Sequence, residues 1–458
     1  IEKFEYKGLW FLPSNTQRKV HGILKYDYEN NTNVLELIGS FYDYSNHEGE
    51  DIILGVTTEG DEITLVECEF KSSSGIPRNE SDKVLINNED RLSTLNFRIT
   101  HILKGQHIIS KDDLNFQKIY VEIFNFDEWV GISGLETNID YKNSEKTIYY
   151  KTPDPINIKI NDDFDMQIQF NSNHPMRFRF SNELKLSQRT IFSFHSKKYT
   201  TLNEFNYLLR KFNNFLSASL QKPVRIQSME LYCDKFIEKI GINNNIEKTI
   251  DAYQIINSDL KFDEKKQEWE MFFTYDDIKN DFEAIIQKWF VNYEKFEEPF
   301  NLVLSQYYIS KNFLEVLFIN VAQAAESFHR RLELIDDTPK TEQDKVFNDR
   351  KNIILENTPD DLKNWVNSQI TKPKHFFDTR LKYLLKEFSN SELDKIIGDQ
   401  SKFVKDITIS RNYYTHYNRE QEKGAAHGVN LIILYEKLRL LLLCCFLIES
   451  GFKKPLIE

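Results

Sequence analysis

No Gly-x-Gly-x2-Gly turn, no Walker loop and no Gly-x-Ser-x-Gly elbow occurs in the sequence, so ATP use and serine hydrolysis have no support in it. Cysteine is scarce. Cys68, Cys233, Cys444 and Cys445 form no Cys-x2-Cys pair, and adjacent cysteines on a helix do not make an ordinary disulfide, so reduced thiols and a cytoplasmic setting are expected. The ten histidines include no pair at metal-binding helical spacing with a third ligand nearby, so neither a metal site nor a cofactor is expected. Long apolar runs are absent too. The longest, Leu440–Ile448, is about half of what crosses a bilayer and follows Glu436, Lys437 and Arg439, which reads as a buried helix rather than a membrane span. The opening residues Ile1-Glu2-Lys3-Phe4-Glu5-Tyr6 carry neither the basic nor the apolar region of a signal peptide.

Positive charge is in deficit, 59 Lys and Arg against 71 Asp and Glu, for a net charge of −12. This argues against a general nucleic-acid coat. It leaves room for an RNA enzyme with a recessed site, because Lys402, Lys405, Arg411, Arg419 and Lys423 locally outnumber Asp406, Glu420 and Glu422.

With 458 residues and 40% hydrophobic content, two or three domains are expected. From Phe4 to about Tyr199, short β-branched and aromatic segments recur between turn signals, and they predict a β-rich, sandwich-like or related two-sheet domain. The predicted strands are 19–28, 34–42, 51–56, 62–70, 95–103, 118–124, 147–150, 156–160, 166–170, 177–180 and 190–194. Ser72–Asp90, with Gly75, Pro77 and the run Asn87-Asn88-Glu89-Asp90, is expected to be a mobile loop, either a recognition element or a solvated connector. Leu202–Leu220 reads as a helix, and strand-like 224–232 and 269–273 follow. At Asp276-Asp277 the period becomes helical and stays so. The expected class is α+β multidomain: a β-rich domain over 1–275 and an all-α bundle over 276–458. Its helices are predicted over 278–296, interrupted by Pro299, then 301–334, 343–356, 359–368, 376–388, 391–397, 401–417 and 429–449.

The chemistry concentrates in Ser410-Arg411-Asn412-Tyr413-Tyr414-Thr415-His416. At about 100° per residue, Phe403, Ile407, Ser410 and Tyr414 share a packing face, and Thr408, Arg411, Asn412, Thr415 and His416 share a polar one. Arg411 is a permanent fork for phosphate oxygens, His416 exchanges a proton near neutral pH, and Asn412 one turn before it can orient the imidazole or a substrate oxygen. The set suits metal-independent RNA cleavage, in which a base takes the ribose 2′-OH proton, the oxygen attacks the neighbouring phosphate and a cation stabilises the developing charge. Tyr413 and Tyr417 offer flat faces to bases, while Tyr414 falls on the packing side.

Arg411-Asn412-x3-His416 on the penultimate helix of an all-helical domain resembles the HEPN superfamily, whose ribonucleases carry an Arg-x4–6-His motif there, and the likeness runs from roughly Asp276 to the end. Gly8-Leu9-Trp10-Phe11-Leu12-Pro13, followed by Gly22-Ile23-Leu24, is similar to the N-terminal domain of ApeA-type anti-phage proteins, which pair a β-rich front with a HEPN domain. The resemblance implies an endoribonuclease of abortive infection, acting on host or phage tRNA or mRNA when a phage-derived trigger meets the front domain. It implies a homodimer through the helical domain, with Arg411, Asn412 and His416 catalytic. Many HEPN-like domains carry a polar or acidic position on an inner helix facing the motif, which would let Glu326 hold Arg411 and let His329 or Arg330 line the RNA path. Arg419 is a further RNA-contact candidate. A plain surface ion pair is the competing reading of Glu326 and Arg330. For the whole chain the alternatives are a HEPN-type RNA, nucleotide or protein-binding module without catalysis, and a structural interaction protein. Asp61 with Glu69-Phe70-Lys71 faintly matches a restriction-type metal site, and the acid pairs at 112–113, 162–163, 336–337 and 360–361 read as solvated caps.

Overall fold

The computed structural model of the chain describes residues 3–43, 49–74, 93–173, 185–240, 244–254, 265–309, 312–335, 342–370, 376–417 and 419–453. The predicted strand 177–180, most of the predicted loop (75–90) and the acid pair 336–337 lie outside the described residues. Two compact units are present, Ile1–Phe290 with Tyr307–Ser310, and Val291–Gln306 with Lys311–Glu458.

The first unit is β-rich. Its strands are β1 (Lys3–Leu12), β2 (Asn15–Asp27), β3 (Thr32–Ile38), β4 (Glu50–Thr57), β5 (Glu62–Ser74), β6 (Thr94–Lys104), β7 (Asn115–Ile123), β8 (Leu135–Asp140), β9 (Glu145–Tyr150), β10 (Ile156–Lys159), β11 (Phe164–Ser172), β12 (Gln188–Thr201), β13 (Ile226–Tyr232), β14 (Ile237–Ile240), β15 (Asn244–Glu247) and β16 (Ile250–Gln254). Twelve of them form one sheet in the order β10-β11-β12-β7-β13-β16-β6-β3-β2-β1-β4-β5, and β5 returns to pair with β6. That last pairing closes β1–β6 into a barrel and leaves the other six strands as an extension, where the alternation of residues predicts two facing sheets. Closure removes two open edges, which is its physical advantage.

Inward-facing Trp10, Leu24, Leu35, Ile53, Ile63, Leu65, Leu95 and Phe97 fill the barrel. Trp10 explains two of its glycines. A Cβ on Gly55 would lie 2.3 Å from the Trp10 ring, and one on Gly22 would lie 2.7 Å from Leu37 and 2.9 Å from Trp10, so the indole rests directly on bare backbone. The extension is covered on one face by helix Leu202–Leu220, which starts at a Thr201–Glu204 capping box and packs Phe212 at 4.8 Å from Phe192 of β12. Segment 269–273 is not a strand. Glu268–Glu270 is a 3-10 turn closed by Gln267 and Glu270, Trp269 is exposed, and Phe273 alone enters the core.

The second unit is helical, with helices Glu297–Leu304, Leu314–Ile335, Glu342–Glu356, Asp360–Gln369, Phe377–Phe388, Ser391–Ile397, Gln400–His416, Arg419–Glu422 and Val429–Glu449. The break expected at Pro299 falls at Phe296 instead, and Pro299 sits in the first turn of the next helix, where its missing N–H costs nothing. The predicted helix 301–334 is two helices, with a 3-10 segment, Ser305–Tyr308, after the first. Residues 441–447 of the last helix are all buried, so this part of the helix is apolar all round and packs inside the bundle. Its Phe446 meets Phe300 at 4.3 Å and Phe328 at 5.3 Å, and Phe328 meets Phe296 at 4.6 Å. Each such ring contributes about 2 kcal/mol by burial, so the packing fixes the helices that carry the polar residues described next.

Candidate active site

Helix Gln400–His416 begins where the Asp399 side chain accepts the Lys402 N–H, and it buries Phe403, Val404, Ile407, Ser410 and Tyr414. Two of these do more than fill space. The Ser410 hydroxyl accepts the Ala426 N–H at 2.9 Å, and the Tyr414 hydroxyl donates to the Ala426 carbonyl at 2.9 Å, so both main-chain groups of one loop residue are clamped to the helix. Burial first, then the nearby Glu315 carboxylate, pushes the Tyr414 hydroxyl up to about 12, which keeps it protonated and able to donate.

Arg411 lies on another side of the helix. Its Nη2 donates to Glu326 Oε2 at 2.9 Å, its Nη1 donates to Asn412 Oδ1 at 3.2 Å, and its guanidinium carbon is 5.4 Å from the Phe377 ring centre. A carboxylate, an amide and an aromatic ring thus fix the fork, and among the described residues two of its five N–H groups are used, which leaves three for a ligand. Glu326, on helix Leu314–Ile335, also accepts from Arg330 one turn later. Its two oxygens therefore bridge two cations. A groove of about 370 Å³ opens here, lined by Ile319, Gln323, Glu326, Ser327, Arg330, Arg411 and Thr415.

Thr415, which also lines the groove, donates its hydroxyl to the Arg411 carbonyl at 2.7 Å. Asn412 has its oxygen occupied by Arg411, which leaves the amide N–H groups for an incoming atom. His416 is the last residue of the helix and is exposed, about 140° around the axis from Arg411. The fork and the imidazole of one copy thus leave the helix in different directions.

The other residues singled out from the sequence divide. Arg330 lines the groove. His329 does not: it is buried, its Nδ1 is 2.8 Å from Arg380 Nη1, and its ring meets Tyr383 at 4.8 Å. Since Arg only donates, that nitrogen accepts. Tyr413 is half-buried beside Tyr417 and His427, and Arg419 is exposed on the short helix Arg419–Glu422. Gln323, Ser327, Phe377 and His427 were not singled out. For the first two a signal existed, since Ile319, Gln323, Glu326, Ser327 and Arg330 recur at spacings of three and four along one helix. Phe377 and His427 reach the site only through tertiary packing.

A family model described as ApeA N-terminal domain 1 matches residues 5–289, and one described as Apea-like HEPN matches residues 319–456. The chain belongs to the ApeA family. In this ApeA-family chain the two matches follow the order of a β-rich front and a helical back, and together they fit an anti-phage HEPN protein. HEPN domains generally carry ribonuclease activity, and they commonly dimerise and bind RNA. No curated protein and no solved structure matches the chain. Among the described residues, no helix is long and apolar enough to cross a membrane, and no group of three or more His, Cys, Asp or Glu is arranged to hold a metal ion.

Proposed function

We propose that this ApeA-family protein is a metal-independent endoribonuclease in which Arg411 stabilises the phosphate charge, His416 transfers the proton of the ribose 2′-OH and Asn412 orients the reacting group. One observation carries the reading. Arg411 is held at the rim of an open groove by Glu326, Phe377 and Asn412, with donors to spare, instead of being neutralised in the core. A preorganised cation facing solvent-filled space is what phosphate-charge stabilisation requires, because no reorganisation is then needed at the moment of reaction.

The angle between Arg411 and His416 supports a site built from two copies. One helix directs the two side chains about 140° apart. A two-fold axis beside the helix ends would bring the arginine of one copy and the histidine of the other onto one linkage. Exposed Val429, Ile432 and Ile433 at the start of the last helix supply apolar surface for such a dimer. In this reading the β-rich front senses a phage-derived trigger, and the helical back cleaves host or phage RNA, tRNA or mRNA, in the cytoplasm. The test is incubation of purified protein with total RNA in EDTA, beside Arg411→Ala and His416→Ala. Cleavage that resists chelation and is lost in both variants supports the reading. Cleavage that persists in either variant, or that needs added metal, contradicts it.

A further inference from the structure

Helix Gln400–His416 ends in an unusual way. Its C-cap is Tyr417, held in the left-handed region at φ 50° and ψ 37°, where a glycine or asparagine is the ordinary choice. The strained residue carries a large ring. The residue is 62% exposed. Its aromatic neighbours are Tyr413 at 5.6 Å and Tyr414 at 6.2 Å, inclined at 64° and 87°, so neither lies parallel on it and a flat face remains in solvent.

His427 completes the group. It is exposed, its ring meets Tyr413 at 5.5 Å, and its Nδ1 is 2.9 Å from the Tyr414 hydroxyl that also clamps Ala426. The loop that brings His427 back is therefore fastened to the same helix, and the cluster is built rather than incidental. Tyr413 lies about 60° around the helix from His416, on the side away from Arg411. The aromatic surface thus adjoins the imidazole, and Tyr417 follows it directly in the chain.

The geometry points to a nucleobase platform: Tyr417 and His427, backed by Tyr413, stack an unpaired base next to the linkage cleaved, so the substrate class is single-stranded or looped RNA and not duplex. This rests on the ribonuclease reading. A base inside a duplex already has both faces covered, whereas a splayed base gains a partner from an exposed ring. The left-handed cap is the device that turns the Tyr417 ring outward, which is the kind of local strain that functional sites retain.

The experiment uses full-length His416→Ala protein, which leaves RNA intact, with short single-stranded RNA oligonucleotides carrying 2-aminopurine at each position in turn. The expected result is quenched emission at one position and about tenfold weaker binding when Tyr417 is also changed to Asn. Tyr417→Phe keeps the quenching, and the same oligonucleotide annealed to its complement shows none. Asn tolerates the left-handed cap, so Tyr417→Asn is expected to melt no lower than the parent, which separates ring loss from misfolding. Emission unchanged at every position, no binding, quenching that survives Tyr417→Asn, equal quenching of duplex, or a fall in oligomer mass in Tyr417→Asn would each overturn the platform. Cleavage by the wild-type protein is scored separately. Cleavage without quenching removes the platform and leaves the nuclease, and quenching without cleavage does the reverse.

Discussion

Removing the Glu326 carboxylate should disable the site while leaving the bundle folded. The Arg411–Glu326 pair has side chains 30% and 19% exposed, between a surface pair worth about 0.2–1 kcal/mol and a buried one costing about 3–5 kcal/mol to break, so Glu326→Ala should cost roughly 1–2 kcal/mol. The arm to Arg330 adds little, because that side chain is 56% exposed. For a domain of this size the loss corresponds to a Tm decrease of about 3–6 °C. The effect on cleavage should be larger. Without the carboxylate, the fork is steered only by the Phe377 ring and the neighbouring Asn412, and a displacement of about 1 Å in a positioned group costs on the order of a hundredfold. Glu326→Gln keeps shape and one acceptor and should fall between. Arg330→Ala should change cleavage by less than about threefold. The assay is single-turnover cleavage of a defined RNA in EDTA, paired with thermal melting. Wild-type cleavage rates in Glu326→Ala, with the Tm lowered as expected, would show that the carboxylate serves only the fold and would refute the reasoning.

Three further outcomes follow from the packing and the charges. Gly55→Ala should lower the urea midpoint by the equivalent of about 1–3 kcal/mol, since its methyl would meet the rigid Trp10 ring at 2.3 Å; an unchanged midpoint would mean that the barrel wall yields there. All four thiols are buried, and burial pushes Cys444 up to about 12 and Cys68, Cys233 and Cys445 upward, so a thiol reagent at pH 8 should label none of them quickly in native protein and four after unfolding. Lys3 and Asn30 hold the Asp27 carboxyl down at about 2, below its unfolded value of about 3.9; its stabilising effect is therefore present above about pH 4 and lost as pH falls toward 2. The stability gap between wild type and Asp27→Asn should be open at pH 5 and close over that window, and a gap that widens on acidification would contradict the assignment.

Local patterns in the sequence were readable where one element settles its own shape. Helix Leu202–Leu220 has the predicted bounds because Phe205, Phe212 and Phe215 keep the helical period and Thr201 with Glu204 closes the start. The faces of helix Gln400–His416 were legible for the same reason: Phe403, Ile407, Ser410 and Tyr414 are buried, and Thr415 and His416 are exposed. What was not legible depends on partners far along the chain. Barrel closure rests on β5 pairing with β6 across residues as distant as Ile63 and Lys104, and alternation alone does not distinguish that from two facing sheets. The apparent strand at 269–273 has the right composition, yet a side-chain cap turns it at Glu270. Glu326 is 85 residues from Arg411, and spacing suggested both it and the rival ion pair with Arg330, whereas its two oxygens engage both arginines. His427 joins the site through Tyr413 and Tyr414, which no linear pattern reveals.

The most direct measurement uses a cleaved RNA remade with one 2′-deoxy nucleotide on the 5′ side of the scissile phosphate, assayed in EDTA with the ends of the parent products identified. If His416 and Arg411 drive attack by the 2′-oxygen, the substituted RNA stays intact and the parent yields 2′,3′-cyclic phosphate and 5′-hydroxyl ends. Cleavage of the deoxy-substituted linkage, or parent products ending in 5′-phosphate and 3′-hydroxyl, would contradict the account.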